Sequence, residues 1–215
     1  MNKRKLPPNA CVVVQEEGAR LVAPSATNNA DVICDLLRSV APETGRALEL
    51  ASGTGQHVSV FAKALPGLHW QPTEIDPARR ASVDAYAGEL DNVSAVVELN
   101  ATAPGWHAEH GDQDLIVLIN LLHLISTPEA ETLMSEAGLA LSPGGRFVVY
   151  GPFKRAGKLT SDGDRRFHAA LVGQDAEIGY KNDEDVLAYL EAQSLRIIRV
   201  AQMPANNLAI VAEKV

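Results

Sequence analysis

The chain has 215 residues, with 19 lysines and arginines against 27 aspartates and glutamates, and so a formal net charge of −8. That balance argues against a general nucleic-acid binder, whose footprint is a basic patch; the only basic run, Lys3-Arg4-Lys5, sits at the terminus. Two cysteines, Cys11 and Cys34, make neither a disulfide framework nor a metal cluster. The most apolar stretch, "LIVLINLLHLI" (115–125), is too short for a bilayer and carries Asn120 and His123. A soluble cytoplasmic protein is expected, with no membrane or nucleic-acid partner and no metal. Its length fits one domain over residues 1–215, with 1–22 as a mobile or partly ordered N-terminal segment.

In chain order, a helix is predicted near 29–40, then a strand at 46–50 that runs into "ASGTG" before a helix at 56–65. A second strand at 69–74 ends in "WQPTEIDP", and Asp76-Pro77 starts a helix over 77–90 with a cap and a proline at its first position. Strands at 93–99 and 114–119 follow. Thr127-Pro128 repeats the cap before a helix at 128–141, and "SPGG" (142–145) turns the chain into a strand at 146–150. This alternation implies right-handed βαβ units and a parallel sheet covered on both faces. Residues 151–182 break it: only "RRFHAALVG" looks helical there, and so long a connection reads as a cap insertion over a binding site. "LRIIRVAQM" (195–203) and "LAIVAEKV" (208–215) are joined only by "PANN", which permits an antiparallel hairpin and no crossover.

Ligands of an open parallel sheet sit beyond the carboxyl ends of its strands. Gly53 and Gly55 lie there, at a strand-to-helix turn that lets a ligand approach the backbone. A tight turn and nothing more is the alternative. Glu74 stands 19 residues beyond Gly55, about where a ribose-binding acid belongs. Asp76 competes for that role but is better explained as a helix cap. A dinucleotide fingerprint wants a third small residue at 58, where this chain has Val58. A pyrophosphate also fits poorly beside Glu49, whereas a ligand with an amino group suits it. An adenosine with an amino-acid arm, S-adenosylmethionine, satisfies all of these, and a nicotinamide-dependent oxidoreductase satisfies fewer.

"LELASGTG" resembles motif I of the class I S-adenosylmethionine-dependent methyltransferases, with Ala51 in place of their usual first glycine. More narrowly, "ELASGTGQH", "WQPTEID", "LINLLHLI", "LSPGGRFVVYGPF" and "MPANNLAIV" resemble the methyltransferase-like protein 26 family, from about residue 24 to the C-terminus. The resemblance implies an α/β, Rossmann-like fold with a seven-stranded, mostly parallel sheet and a C-terminal antiparallel hairpin. It implies that Glu49, Ala51, Gly53, Gly55 and His57 surround the methionine arm of the cofactor. Glu74 would bind the ribose, Asn100 (where the family usually has aspartate) the adenine edge, and Asn120 would line the cofactor from below. S-adenosylhomocysteine would be the product.

His123 and Tyr150, both at predicted carboxyl ends of strands, are the catalytic candidates, His123 as a base. A base is required only where the acceptor must lose a proton, and a lone histidine is more often a structural hydrogen-bonder. Asn29, Tyr150, Asn206 and Asn207 are the substrate candidates; the two hairpin asparagines serve equally well as turn residues. No Asn/Asp-Pro-Pro-Tyr/Phe signature follows the fourth strand, which favours a small-molecule acceptor over DNA. The family's arginines after the fifth strand are replaced by Val172 and Gln174, and its Pro and Trp by Ala176 and Ile178. A less anionic substrate is therefore expected. A non-catalytic cofactor- or protein-binding module remains the alternative, and a homodimer remains open.

Overall fold

The computed structural model describes residues 12–215; the expectations for Lys3–Lys5, Cys11 and the rest of residues 1–11 lie outside them. Two short strands, β1 (Val14–Gln15) and β2 (Leu21–Val22), form an antiparallel hairpin. It is fixed to the body where Leu21 N–H donates to Ser82 Oγ at 2.8 Å and Arg20 lies over the Tyr86 ring. Helix α1 (Pro24–Val40) starts five residues earlier than predicted, because Pro24 occupies its first turn. There follow β3 (Gly45–Leu50), α2 (Gln56–Ala64), β4 (Leu68–Pro72), α3 (Pro77–Ala87), β5 (Gln113–Ile119), α4 (Thr127–Ala140) and β6 (Leu141–Pro152). Then come α5 (Asp162–Gln174), α6 (Asp183–Ala192), β7 (Leu195–Met203) and β8 (Asn207–Lys214).

The sheet order is β4-β3-β5-β6-β8-β7. The first four strands are parallel, and β8 lies antiparallel to both β6 and β7. The hairpin read from "PANN" is thus present. The strand expected over 93–99 runs parallel along the outer edge of β4 but only as isolated bridges, Trp70 to Val93 and Thr73 to Val97. The register slips by one residue between them at Pro72, which has no N–H to offer the ladder.

Alternation along the strands divides the core into two layers. Phe147 and Val149 of β6 join Leu48, Ile116 and Ile210 against α4 and α6, while Val148 and Tyr150 join Ala47, Val117 and Val211 against α1 and α2. Each such buried aliphatic or aromatic side chain contributes about 1.5–3 kcal/mol relative to exposure. A third, smaller cluster of Leu171, Ile178 and Tyr180 holds the segment after β6 together. The chain leaves β3 toward β4 on one side and returns in β5 on the other, so a crevice opens at the carboxyl end of β3. No helix among the described residues is long and apolar enough to cross a membrane.

Candidate functional site

The crevice is a cleft of about 1480 Å³, larger than the roughly 300–1,000 Å³ of a usual single-ligand pocket. Its floor is the turn after β3. Ala51, Gly53 and Gly55 all have positive φ, at 53°, 60° and 89°, so the backbone coils left-handed three times in five residues. Ser52 and Thr73 brace it: Ser52 N–H donates to Thr73 O at 2.7 Å, and Thr73 Oγ1 donates to Glu49 O at 2.9 Å. A Cβ at Gly53 would meet nothing nearer than Ala51 O at 4.0 Å, whereas one at Gly55 would lie 2.6 Å from Val83 Cα. Gly53 therefore faces open space at the cleft wall. Gly55 does not line the cleft; it lets α2 pack against α3.

Two carboxylates flank this turn and are treated differently. Glu74 accepts from Gly53 N–H at 2.9 Å, Ile75 N–H at 2.8 Å and Asp76 N–H at 3.0 Å. Asp76 caps α3, accepting from Ala78 N–H at 2.9 Å and Arg79 N–H at 3.2 Å. Glu49 is only 2 % exposed, and neither carboxylate oxygen has a hydrogen-bond partner among the described residues. Burial pushes its acid up to about 8; the Ser52 hydroxyl opposes that shift and the Glu74 charge adds to it.

On the opposite wall, His57 Nε2 lies 2.7 Å from Asn29 Oδ1, and its ring stacks on Phe61. Burial lowers its acid to about 4, so the imidazole is neutral with its proton on Nε2, assigned from this partner. Tyr150 has its phenol raised above the usual range by burial, which outweighs the opposing effect of the Asn29 and Asn207 side chains. Asn29 thus joins α1 to α2 through His57, while Asn207 Nδ2 donates to Pro204 O at 2.9 Å within the β7–β8 tip. Asn120 turns the chain after β5 at φ 55°, its N–H donating to Tyr150 O at 2.9 Å, and it lines the cleft. Asn100 also lines it, with its amide oxygen accepting from Thr102 N–H and Oγ1, the geometry of a turn.

His123 lies in a 3-10 turn over Leu122–Leu124, edge-on to Phe167 at 5.6 Å and Tyr180 at 6.1 Å between centroids. Burial, helped by the Lys181 charge, lowers its acid to about 3, which makes it a poor proton acceptor near neutral pH. Asn206 does not line the cleft. Its side chain donates to Asp164 and Thr160 and ties the β7–β8 tip to α5. Phe167 and Tyr180 were not among the expected site residues. Phe167 was legible only as part of a helix, and nothing local in the sequence marked Tyr180.

The fold has many solved counterparts. An O-methyltransferase family protein from Burkholderia thailandensis superposes with a TM-score of 0.76 and 16 % identity over 88 % of this chain and 56 % of its own. Human N-acetylserotonin methyltransferase, solved with SAM, gives 0.73 and 15 % over 88 % and 52 %. PigF, solved with SAH, gives 0.72 and 20 % over 88 % and 56 %. The chain therefore spans a little over half the length of these proteins. It shares with them a Rossmann-like α/β fold with a mixed sheet. Residues 20–214 match a family model described as "Protein of unknown function (DUF938)", and the chain belongs to that family.

Proposed function

We infer that the protein is an S-adenosylmethionine-dependent methyltransferase that transfers a methyl group to a small-molecule acceptor. The observation that carries this reading is Glu49. A buried carboxylate without a partner is expensive to ionise, and its position beside an open, left-handed turn suits an incoming ammonium group. The α-amino group of S-adenosylmethionine is such a cation. Glu74, beside the turn, is suited to the ribose hydroxyls, and Asn100 and Asn120 to the flanks of the adenosine. The narrower resemblance to the methyltransferase-like protein 26 family is part of the proposal, as is a single domain with residues 151–182 acting as its cap.

When bound, S-adenosylmethionine supplies an electrophilic methyl on a sulfonium. The chain's part is positioning. Glu49 fixes the amino end, and neutral His57, its one ring proton spent on Asn29, walls the site without adding charge. Tyr150, kept protonated by burial, has its O–H to donate toward an acceptor. His123 bounds the acceptor space as a neutral ring, and we assign it positioning rather than proton abstraction.

Calorimetric titration with S-adenosylhomocysteine tests the reading. Glu49→Gln should weaken binding by about tenfold or more, the loss of a charge-assisted hydrogen bond. Unchanged affinity would sink the assignment. A labelled-methyl screen against metabolite extract then separates an enzyme from a binding module: tight binding with no transfer would favour the module.

A further inference from the structure

The cleft has a second half that Glu49, Glu74 and the turn do not use, bounded by the 3-10 turn after β5, the cap segment and the β7–β8 tip. Three rings meet there. His123 and Phe167 stand 5.6 Å apart at 61°, His123 and Tyr180 6.1 Å at 68°, and Phe167 and Tyr180 6.1 Å at 73°. All three line the cleft. Mutually perpendicular rings present both edges and faces to a visitor, the geometry in which another aromatic ring packs well.

Charge narrows the choice further. Among the described lining residues Arg79 is the only lysine or arginine, and it lies on α3 at the Asp76 end. The carboxylates number five: Glu49, Glu74, Asp76, Glu129 and Asp175. Lys181 donates to Ile125 O and Gly179 O and does not line the cleft, although its charge reaches the His123 ring. Among the described residues lining that half of the cleft none is a lysine or arginine, so a carboxylate or phosphate on the acceptor would meet no described lining cation. Hydrogen-bonding capacity is present, in Tyr150, Asn29, Asn207 and Gln174, which all line the cleft.

Tyr180 is also fixed in place. Its hydroxyl donates to the buried Asp164 carboxylate at 3.2 Å, which accepts in addition from Ser161 Oγ and the Asn206 amide. The aromatic wall is therefore held by a polar knot behind it and presents its apolar side to the cleft.

We propose that the methyl acceptor is a neutral, planar aromatic molecule, its ring against Phe167, Tyr180 and His123 and a polar substituent toward Tyr150. This rests on the methyltransferase reading but concerns the other half of the cleft. In the transfer step a lone pair on the acceptor's oxygen, nitrogen or sulfur forms the new bond to the methyl carbon. The carbon–sulfonium bond breaks and its electron pair stays on sulfur, leaving the neutral thioether. A proton borne by the acceptor atom passes to solvent.

Binding of 2-naphthol, 2-naphthoate and decahydro-2-naphthol to the full chain, with and without S-adenosylhomocysteine, tests this by calorimetry. We expect 2-naphthol to bind at least tenfold more tightly than 2-naphthoate, and more tightly than the saturated alcohol. Phe167→Leu keeps an apolar side chain in the cap and should cost 2-naphthol about three- to tenfold, leaving S-adenosylhomocysteine affinity within twofold. Equal or reversed preference for naphthoate, equal binding of the saturated alcohol, or no naphthol binding would each overturn the proposal. Naphthol binding without any S-adenosylhomocysteine binding would keep the aromatic chamber and sink the methyltransferase reading instead.

Discussion

Ala51 and Glu49 both carry a cost in the isolated protein, one in its backbone and one in its charge. Ala51 sits at φ 53°, in the left-handed region where a Cβ crowds the following carbonyl. Ala51→Gly should therefore stabilise the protein by about 0.5–1 kcal/mol, a rise of roughly 1–4 °C in Tm, with S-adenosylhomocysteine affinity unchanged. A lower Tm would show that the methyl packs better than the backbone suffers. Glu49 holds its acid up to about 8, so at pH 7 roughly nine in ten molecules carry the proton. An ammonium group drawn to it must expel that proton. Titrations at pH 7 in phosphate and in Tris should then differ in enthalpy by about one proton's worth of buffer ionisation, and Glu49→Gln should abolish the difference. Equal enthalpies in both buffers for the wild type would sever Glu49 from binding. Glu74 needs a gentler probe: with three backbone N–H groups on its carboxylate, Glu74→Ala would loosen the turn itself, so Glu74→Gln is the cleaner variant. These residues were legible because strand, turn and helix are local features, and their order alone brings Glu49 and Glu74 to one crevice. The aromatic wall was not, because Phe167 and Tyr180 belong to a long connection whose placement depends on tertiary packing.

Among the elements, the alternating strands and helices were readable wherever an apolar run ended in a cap or a glycine turn. The cap of α4 falls one residue earlier than expected, on Ser126, which forms a reciprocal capping box with Glu129. No helix was expected over Asp183–Ala192, although Asn182 followed by Asp183, Glu184 and Asp185 is a helix-start signal. Val186 and Leu190 are buried with Leu187 and Tyr189 packed beside them, so its apolar face is confined to residues 186–190, too short a run to register as a period. The strand at 93–99 was readable as apolar sequence, but its pairing is interrupted at Pro72 on the neighbouring strand, a non-local effect. Helix α5 owes its position to the contact between Asp164 and the hairpin tip. Asn206→Ala removes a hydrogen bond to a buried carboxylate, worth about 1.5 kcal/mol or more. Amide exchange across α5 should then quicken about tenfold while β3 and β5 keep their protection. Uniform acceleration over the whole sheet would mean the contact supports global stability rather than the cap.

The whole molecule adds its buried titrating groups into one pH profile, and their signs differ. His57 and His123 have acids lowered to about 4 and about 3 from an ordinary 6.5. Below pH 6.5 the unfolded chain takes up protons that the folded one refuses, so stability is lost as pH falls through that range. Glu136 works in the same direction at lower pH. Its carboxylate is held below the ordinary range by Gly105 N–H, His107 N–H and the His107 ring, against the opposing pull of burial. The stability it adds is present above the ordinary glutamate value of 4.5 and disappears as it protonates. Glu49 has the opposite sign: from 4.5 up to about 8 the folded chain keeps a proton that the unfolded chain has released, so stability falls as pH rises. Between 4.5 and 6.5 the two histidines outweigh the one glutamate; above 6.5 only Glu49 is still titrating among these four. The ligand-free protein should therefore melt highest near pH 6.5 and lose Tm on both sides. Saturating S-adenosylhomocysteine, or Glu49→Gln, should flatten the alkaline limb and steepen the acid limb, where Glu49 no longer opposes the two histidines. Thermal melts from pH 4 to 9 at constant ionic strength measure this directly, and a ligand-free Tm that climbs steadily through pH 8 would rule out an unpaired acid at the mouth of the turn.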